Sequence, residues 1–305
     1  MRNFNTNKGF KSDTRKRTRH DSPVKNRTER PRSTRPDRSG RPVRSQRSVP
    51  SSASAGPDTS WQPVSQWYNS AVGEDGHFYH RNLVLPKTIE LLNLPQNAAV
   101  LDLACGQGVL ARVLPEDVYY QGIDIAPDLI KAAREQDKNP RHHFTVANIT
   151  RSGLPIQKKD FTHVTILLAL QNIDKSQLAL NNAAEYLREG GKCLIVINHP
   201  CFRIPRQSSW EVDPVKKTQF RRVDRYISPL EIPITAHPGQ KSSPLTWSFH
   251  QPLSVYTQQL FEAGFLIERI EEWVSTKQSV GTAAKMENRG RSEIPLFMTF
   301  LARKA

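Results

Sequence analysis

The sequence has only three cysteines among 305 residues, Cys105, Cys193 and Cys201, and no two of them stand in a Cys-x-x-Cys pair. Neither a disulfide framework nor a cysteine zinc site is supported, no metal is expected, and a reducing cytoplasm is the expected location. Long apolar runs are also missing: a stretch such as residues 164–170, interrupted only by Thr165, is far short of the roughly 20 residues that cross a bilayer, so no membrane span is expected. The opening Met1-Arg2-Asn3-Phe4-Asn5 has no hydrophobic stretch of the secretory kind. No internal repeat is present.

Apolar residues are scarce at one end. Residues 1–60 hold eight of them, together with 16 of the 44 Lys and Arg but only five of the 29 Asp and Glu. Runs such as Arg15-Lys16-Arg17 cannot bury enough surface to offset chain entropy, so a disordered basic arm is expected over residues 1–60. Sixteen cations on such an arm would contact nucleic acid through its phosphates without sequence preference. Base stacking is poorly served, because Phe4 and Phe10 are the arm's only aromatics. Residues 61–305 are nearly balanced in charge and long enough for one domain with a buried core.

From Trp61 the composition changes, with Trp61, Trp67, Tyr68, Phe78 and Tyr79 marking the start of a folded surface. Residues 83–94 read as an amphipathic helix stopped by Pro95. Strands are then expected at 98–103, 119–124, 143–147, 161–168 and 193–198, with helices at 109–114, 128–136 and 178–188 between them. This alternation predicts an open parallel sheet with helices on both faces. Residues 200–245, rich in proline and carrying Lys216, Lys217, Arg221, Arg222 and Arg225, read as an insertion over the active edge. That basic cluster suits either an anionic substrate or a solvated helix face. A helix at 255–263, a strand at 265–273, a polar loop and a strand at 296–302 complete the chain. With no helix between them, the last strand must run antiparallel to its neighbour, giving seven strands in a mixed sheet.

The informative stretch is Val100-Leu101-Asp102-Leu103-Ala104-Cys105-Gly106-Gln107-Gly108. Side chains at Gly106 or Gly108 would fill space that a close ligand needs. Asp102 can sit beside a bound cation or hydroxyl. Asp124, twenty-two residues on, ends the second strand, where a carboxylate accepts ribose hydroxyls. A dinucleotide fold would need G-x-G-x-x-G to hold pyrophosphate. Here two glycines follow an acid, which disfavours phosphate and suits a ligand carrying an amino group.

These residues resemble the first motif of the class I S-adenosylmethionine-dependent methyltransferases, approximately D-x-G-C-G-x-G, with Ala104 in place of the first glycine. The resemblance covers roughly residues 77–305. It implies a Rossmann-like α/β fold, S-adenosylmethionine as cofactor, and cofactor contacts from Asp102, Ala104, Gly106, Gly108, Asp124, Ile125, Asn148 and Ile149. Asn148 stands where the family usually has an acid for the adenine amino group, and its side-chain carbonyl can accept that bond. Phe78-Tyr79-His80-Arg81, Asn198-His199-Pro200-Cys201-Phe202 and His250-Gln251-Pro252-Leu253 resemble a subgroup of small bacterial methyltransferases that implies no substrate.

In such an enzyme the protein mainly aligns the acceptor and excludes water. Where the acceptor must lose a proton, His199, beyond the fifth strand, is the leading base, with His250 behind it. Tyr79 and His80 either close over the cofactor or pack in the core. Residues 168–174 lack the N/D-P-P-Y/F of exocyclic amino-group methylation and the Pro-Cys pair of RNA cytosine-C5 enzymes. A small-molecule acceptor is therefore expected. The alternatives are an RNA methyltransferase recruited by its arm and a noncatalytic nucleic-acid adaptor that retains the fold.

Overall fold

The computed structural model describes residues 59–235 and 243–305. The expected basic arm lies outside the described residues except for Thr59 and Ser60. Five parallel strands carry the fold: β1 (Ala99–Leu103), β2 (Tyr119–Asp124), β3 (His142–Val146), β4 (Phe161–Leu167) and β5 (Leu187–Asn198). β1 lies between β2 and β4, β3 flanks β2, and β5 flanks β4. β11 (Phe297–Lys304) inserts antiparallel between β5 and β10 (Phe265–Trp273), so the order is β10-β11-β5-β4-β1-β2-β3. The sheet has the seven strands, mixed direction and antiparallel last strand that the sequence predicts.

Alternate residues of a strand point to opposite faces, and the core divides accordingly. Leu101 and Leu103 of β1, with Cys193, Ile195 and Ile197 of β5, meet Leu180 and Ala183 of α4 (Ser176–Tyr186) and Leu260 of α5 (Leu253–Glu262). On the other face Val100 and Tyr120 meet Ile130 and Ala133 of α3 (Pro127–Gln136). Leu194 and Val196 there pack with Leu91 and Leu92 of α2 (Leu85–Leu92). Each fully buried Leu or Ile contributes on the order of 1.5–3 kcal/mol, so helices on both faces follow from strands apolar on both sides. No helix of the described residues is long and apolar enough to cross a membrane.

Several elements differ from expectation. The helix expected at 83–94 begins as a π-helical turn, His80–Val84, and ends at Leu92. Only a 3-10 turn, Ala111–Val113, forms in 109–114. The expected polar loop before the last strand contains α6 (Ala284–Glu293), of which only Gly290 is buried. The antiparallel return holds despite this helix. Instead of crossing the sheet, α6 packs on the hairpin of β6 (Ser208–Asp213) and β7 (Thr218–Val223), with Gly290 seated against Trp210 and Gln219. The basic cluster at 216–225 therefore lies on and after a β-hairpin, with no helix face. The insertion's second ribbon is antiparallel, β8 (Leu230–Thr235) with β9 (Leu245–His250).

The turn after β1 is fixed by packing at Gly108, which has φ +75° and where a Cβ would come within 2.8 Å of the Phe144 ring. This glycine serves close helix-to-sheet packing, whereas the sequence suggested ligand approach. Gly108→Ala should lower stability by about 1–3 kcal/mol through overpacking and left-handed strain. A urea unfolding midpoint equal to that of the unaltered chain would contradict this assignment.

Candidate active site

At the carboxyl edge of the sheet the turn after β1 passes through three left-handed residues, Ala104 (φ 62°), Gly106 (φ 58°) and Gly108. An L-residue at Ala104 costs on the order of 1–2 kcal/mol in this conformation. Asp124 holds the turn from the end of β2. Its carboxylate accepts the backbone N–H of Gly106 (2.9 Å) and of Ala126 (2.9 Å). Burial pushes the Asp124 carboxyl above its ordinary range, and these backbone donors oppose the rise.

One strand further, Asn148 closes the loop after β3. Its side-chain oxygen accepts both the N–H (2.9 Å) and the hydroxyl (2.8 Å) of Thr150. The oxygen expected to face an adenine amino group is thus engaged within the loop.

A cavity of about 1090 Å³ opens along this edge. Of the expected cofactor contacts, Ala104, Gly106, Asp124, Ile125, Asn148 and Ile149 line it. Asp102 and Gly108 do not. Asp102 is 2% exposed and uses both oxygens to tie β1 to its neighbours, accepting Tyr120 Oη–H of β2 (2.7 Å) and Thr165 Oγ1–H of β4 (2.8 Å). Burial raises its carboxyl from 3.8 to about 7.

His199 and His250, the expected bases, both lie outside the lining. His199 is 1% exposed, its Nδ1 accepts the Cys201 backbone N–H (3.2 Å), and its Nε2–H donates to Glu272 Oε1 (2.6 Å). With both nitrogens occupied it has none to turn toward an acceptor. His250 donates Nε2–H to the Tyr226 carbonyl (2.7 Å) beneath the insertion. Burial lowers the basicity of both.

Other side chains complete the wall. The segment before β1 covers the turn: Tyr68, on α1 (Ser65–Val72), lies over Gly106, 3.6 Å from where a Cβ would stand, and Trp61 meets Tyr68 edge to face at 5.2 Å. That cover is anchored at the first turn of α3, where Asp128 accepts from Gln62 (2.7 Å) and Ser65 (3.0 Å). It is anchored again at the glycine turn, where buried Gln107 donates to the Gly73 carbonyl (2.7 Å). Tyr79 and His80 also line the cavity, as does His77. The His77 and His80 rings stack 4.1 Å apart. Burial lowers His80 to about 3 and lowers His77 as well, so both are neutral at ordinary pH. The density of aromatics from Trp61 to Tyr79 marked the start of a folded surface in the sequence, and of those aromatics only Tyr79, together with His80, was expected to close over the cofactor or pack in the core. Among the described residues no group of three or more His, Cys, Asp or Glu is arranged to hold a metal.

Comparison with known proteins places this edge in context. Residues 100–191 match the family model described as a methyltransferase domain. Over 110 residues the chain is 28% identical to a demethylmenaquinone methyltransferase of Bacillus licheniformis, covering 35% of this chain and 47% of that protein. Over 118 residues it is 31% identical to a 2-phytyl-1,4-naphtoquinone methyltransferase of Thermosynechococcus vestitus, covering 37% and 52%. The chain thus spans about half the length of the curated relatives it matches. A crystal structure of an S-adenosylmethionine-dependent methyltransferase from Mesorhizobium loti shares the fold, with TM-score 0.57 and 22% identity over 76% of this chain and 100% of that one.

The raised Asp102 carboxyl has a definite consequence for stability. Between pH 3.8 and about 7 the folded chain keeps a proton at Asp102 that the unfolded chain has released, so this group's contribution falls as pH rises through that window and levels off above it. Asp102→Asn should remove that decline. Its unfolding free energy, measured by urea titration from pH 4 to pH 8, should fall less with pH than that of the unaltered chain, and equal slopes would contradict the assignment.

Proposed function

We propose that this chain, whose residues 100–191 match a methyltransferase domain, is a class I S-adenosylmethionine-dependent methyltransferase and transfers the cofactor's methyl group to a small-molecule acceptor held in the same cavity. The observation that carries this reading is the pairing of Asp124 with Gly106 at the cavity wall. A carboxylate has about four acceptor positions. With one backbone bond on each oxygen, Asp124 retains capacity for ribose hydroxyls. Gly106 lets the chain pass beside the ligand beneath Tyr68.

The residues present fit this cofactor. Asn148 uses its oxygen for Thr150, which leaves its side-chain NH2 to face an adenine ring nitrogen, while Ile125 and Ile149 supply apolar contact at the same wall. When bound, S-adenosylmethionine would supply an electrophilic sulfonium methyl, with its own thioether as the leaving group. The protein's part is alignment and exclusion of water. The Trp61–Tyr68 cover and the β8–β9 ribbon, which contributes Trp247 and Phe249 to the wall, serve that exclusion.

No strong base faces the cavity from the positions expected in sequence. His199 is a positioning residue that joins the end of β5 to β10 through Glu272, and the neutral His77 and His80 are the imidazoles at the wall. An acceptor atom nucleophilic without help from a strong base suits this wall.

Asp124→Ala should weaken S-adenosylmethionine binding by about 1–3 kcal/mol, since it leaves ribose hydroxyls unpaired. Calorimetric titration of the full chain and the variant measures this directly. Equal affinities would remove Asp124 from the site.

A further inference from the structure

The ribose end of the cavity is marked by Asp124 on β2. Three strand positions away, past β1 and β4 and so roughly 14 Å along the sheet at about 4.8 Å per strand, the chain leaves β5 through Asn198 and turns at residues 199–205. Arg203 lies in this turn and lines the cavity, its guanidinium 5.6 Å from the centre of the Phe297 ring. Among the described residues that guanidinium has no carboxylate partner and no hydrogen bond. Arg221 of β7 lines the wall beside it. Its Nε–H donates to the Phe202 carbonyl (2.6 Å), one Nη2–H donates to Ser208 Oγ (2.7 Å), and the group lies over the Trp210 ring (5.5 Å). These bonds aim Arg221 without neutralising it.

Other charges reach the cavity. Asp174 and Glu231 line it, as do Arg151 and Lys175, but all four are exposed and screened by water. Arg203 and Arg221 are the part-buried ones, and burial disfavours the charge on each. A cation withheld from water without a counter-ion is costly to keep. Charged groups perturbed by burial cluster at functional sites.

We propose that Arg203, backed by Arg221, is the anion site of the acceptor pocket, and that the methyl acceptor carries an oxyanion, either a carboxylate or a phosphate. The assignment rests on the methyltransferase reading above. It deepens that reading by naming the acceptor's class. A guanidinium offers five donors in a planar fork that matches the two oxygens of a carboxylate or phosphate. Of the basic cluster in the insertion, only Arg221 joins this site. Lys216 reaches Asp213 and Arg222 pairs with Asp224 in solvent.

The test uses the full chain saturated with S-adenosylhomocysteine, titrated separately with inorganic phosphate, benzoate and the neutral isostere benzamide, with binding measured by calorimetry. At least one of the two anions should bind, whichever does indicating the acceptor's group, and benzamide should not. Arg203→Gln should weaken anion binding at least tenfold. Arg203→Lys should retain part of it, and the surface variant Arg222→Gln should match the unaltered chain. S-adenosylhomocysteine affinity should change less than twofold in every variant, which also shows that each has folded. With S-adenosylhomocysteine bound, absence of anion binding, equal binding by Arg203→Gln, or equal binding of benzamide overturns the anion site. Failure of the unaltered chain to bind S-adenosylhomocysteine overturns the cofactor reading instead.

Discussion

Two carboxylates buried at the carboxyl ends of adjacent parallel strands set the geometry on which everything else depends. Taking a carboxylate out of water is expensive unless donors replace the lost hydration. Asp102 obtains its donors from side chains of the two flanking strands, Tyr120 and Thr165. Asp124 obtains them from backbone N–H groups of the turns at Gly106 and Ala126. The first arrangement locks β1 between β2 and β4. The second locks the cavity-lining turn to the strand beside it. A turn with three left-handed residues, one of them an alanine, is held only because the surrounding bonds over-determine it.

The same edge explains the division of labour along the sheet. At β2 and β3 the wall is built from a carboxylate, an amide and two isoleucines, groups suited to ribose and adenine. At the far side, beyond β5, it is built from Arg203, Arg221 and aromatic rings. Parallel strands make this separation a consequence of strand order, because each contributes its carboxyl end to the same edge. Beside them, β7 contributes Arg221 and the β8–β9 ribbon contributes Trp247 and Phe249 to the cavity wall.

Much of this was legible in the residues. The run of apolar strands separated by helices predicted the sheet, and the β2 span, 119–124, agrees residue for residue; the antiparallel last strand was expected from a lack of any helix before it, and it holds although α6 stands there. Asp124, Gly106 and Asn148 line one cavity at the carboxyl edge of the sheet. What escaped depends on residues far apart in the chain. Nothing near His199 indicates that Glu272, on a strand 73 residues later, will claim its Nε2 and draw the ring away from the cavity. Asp102 has the chemistry of a ligand contact, but Tyr120 and Thr165 satisfy it from both neighbouring strands. α6 shows no apolar stripe, since it packs on the hairpin of the insertion through Gly290 and leaves the sheet's core alone. The strands of that hairpin are short and partly exposed, which left proline and charge as the dominant sequence features.

Cofactor binding in the cavity between the Gly106 turn and the Trp61–Tyr68 cover is open to hydrogen exchange of the full chain with and without saturating S-adenosylhomocysteine. Slower exchange is expected in residues 61–72, in the turn at 104–108 and in 124–130, with residues 284–293 of α6 unchanged. Exchange that is unaltered in all three segments, or protection confined to α6 and its hairpin, would contradict it.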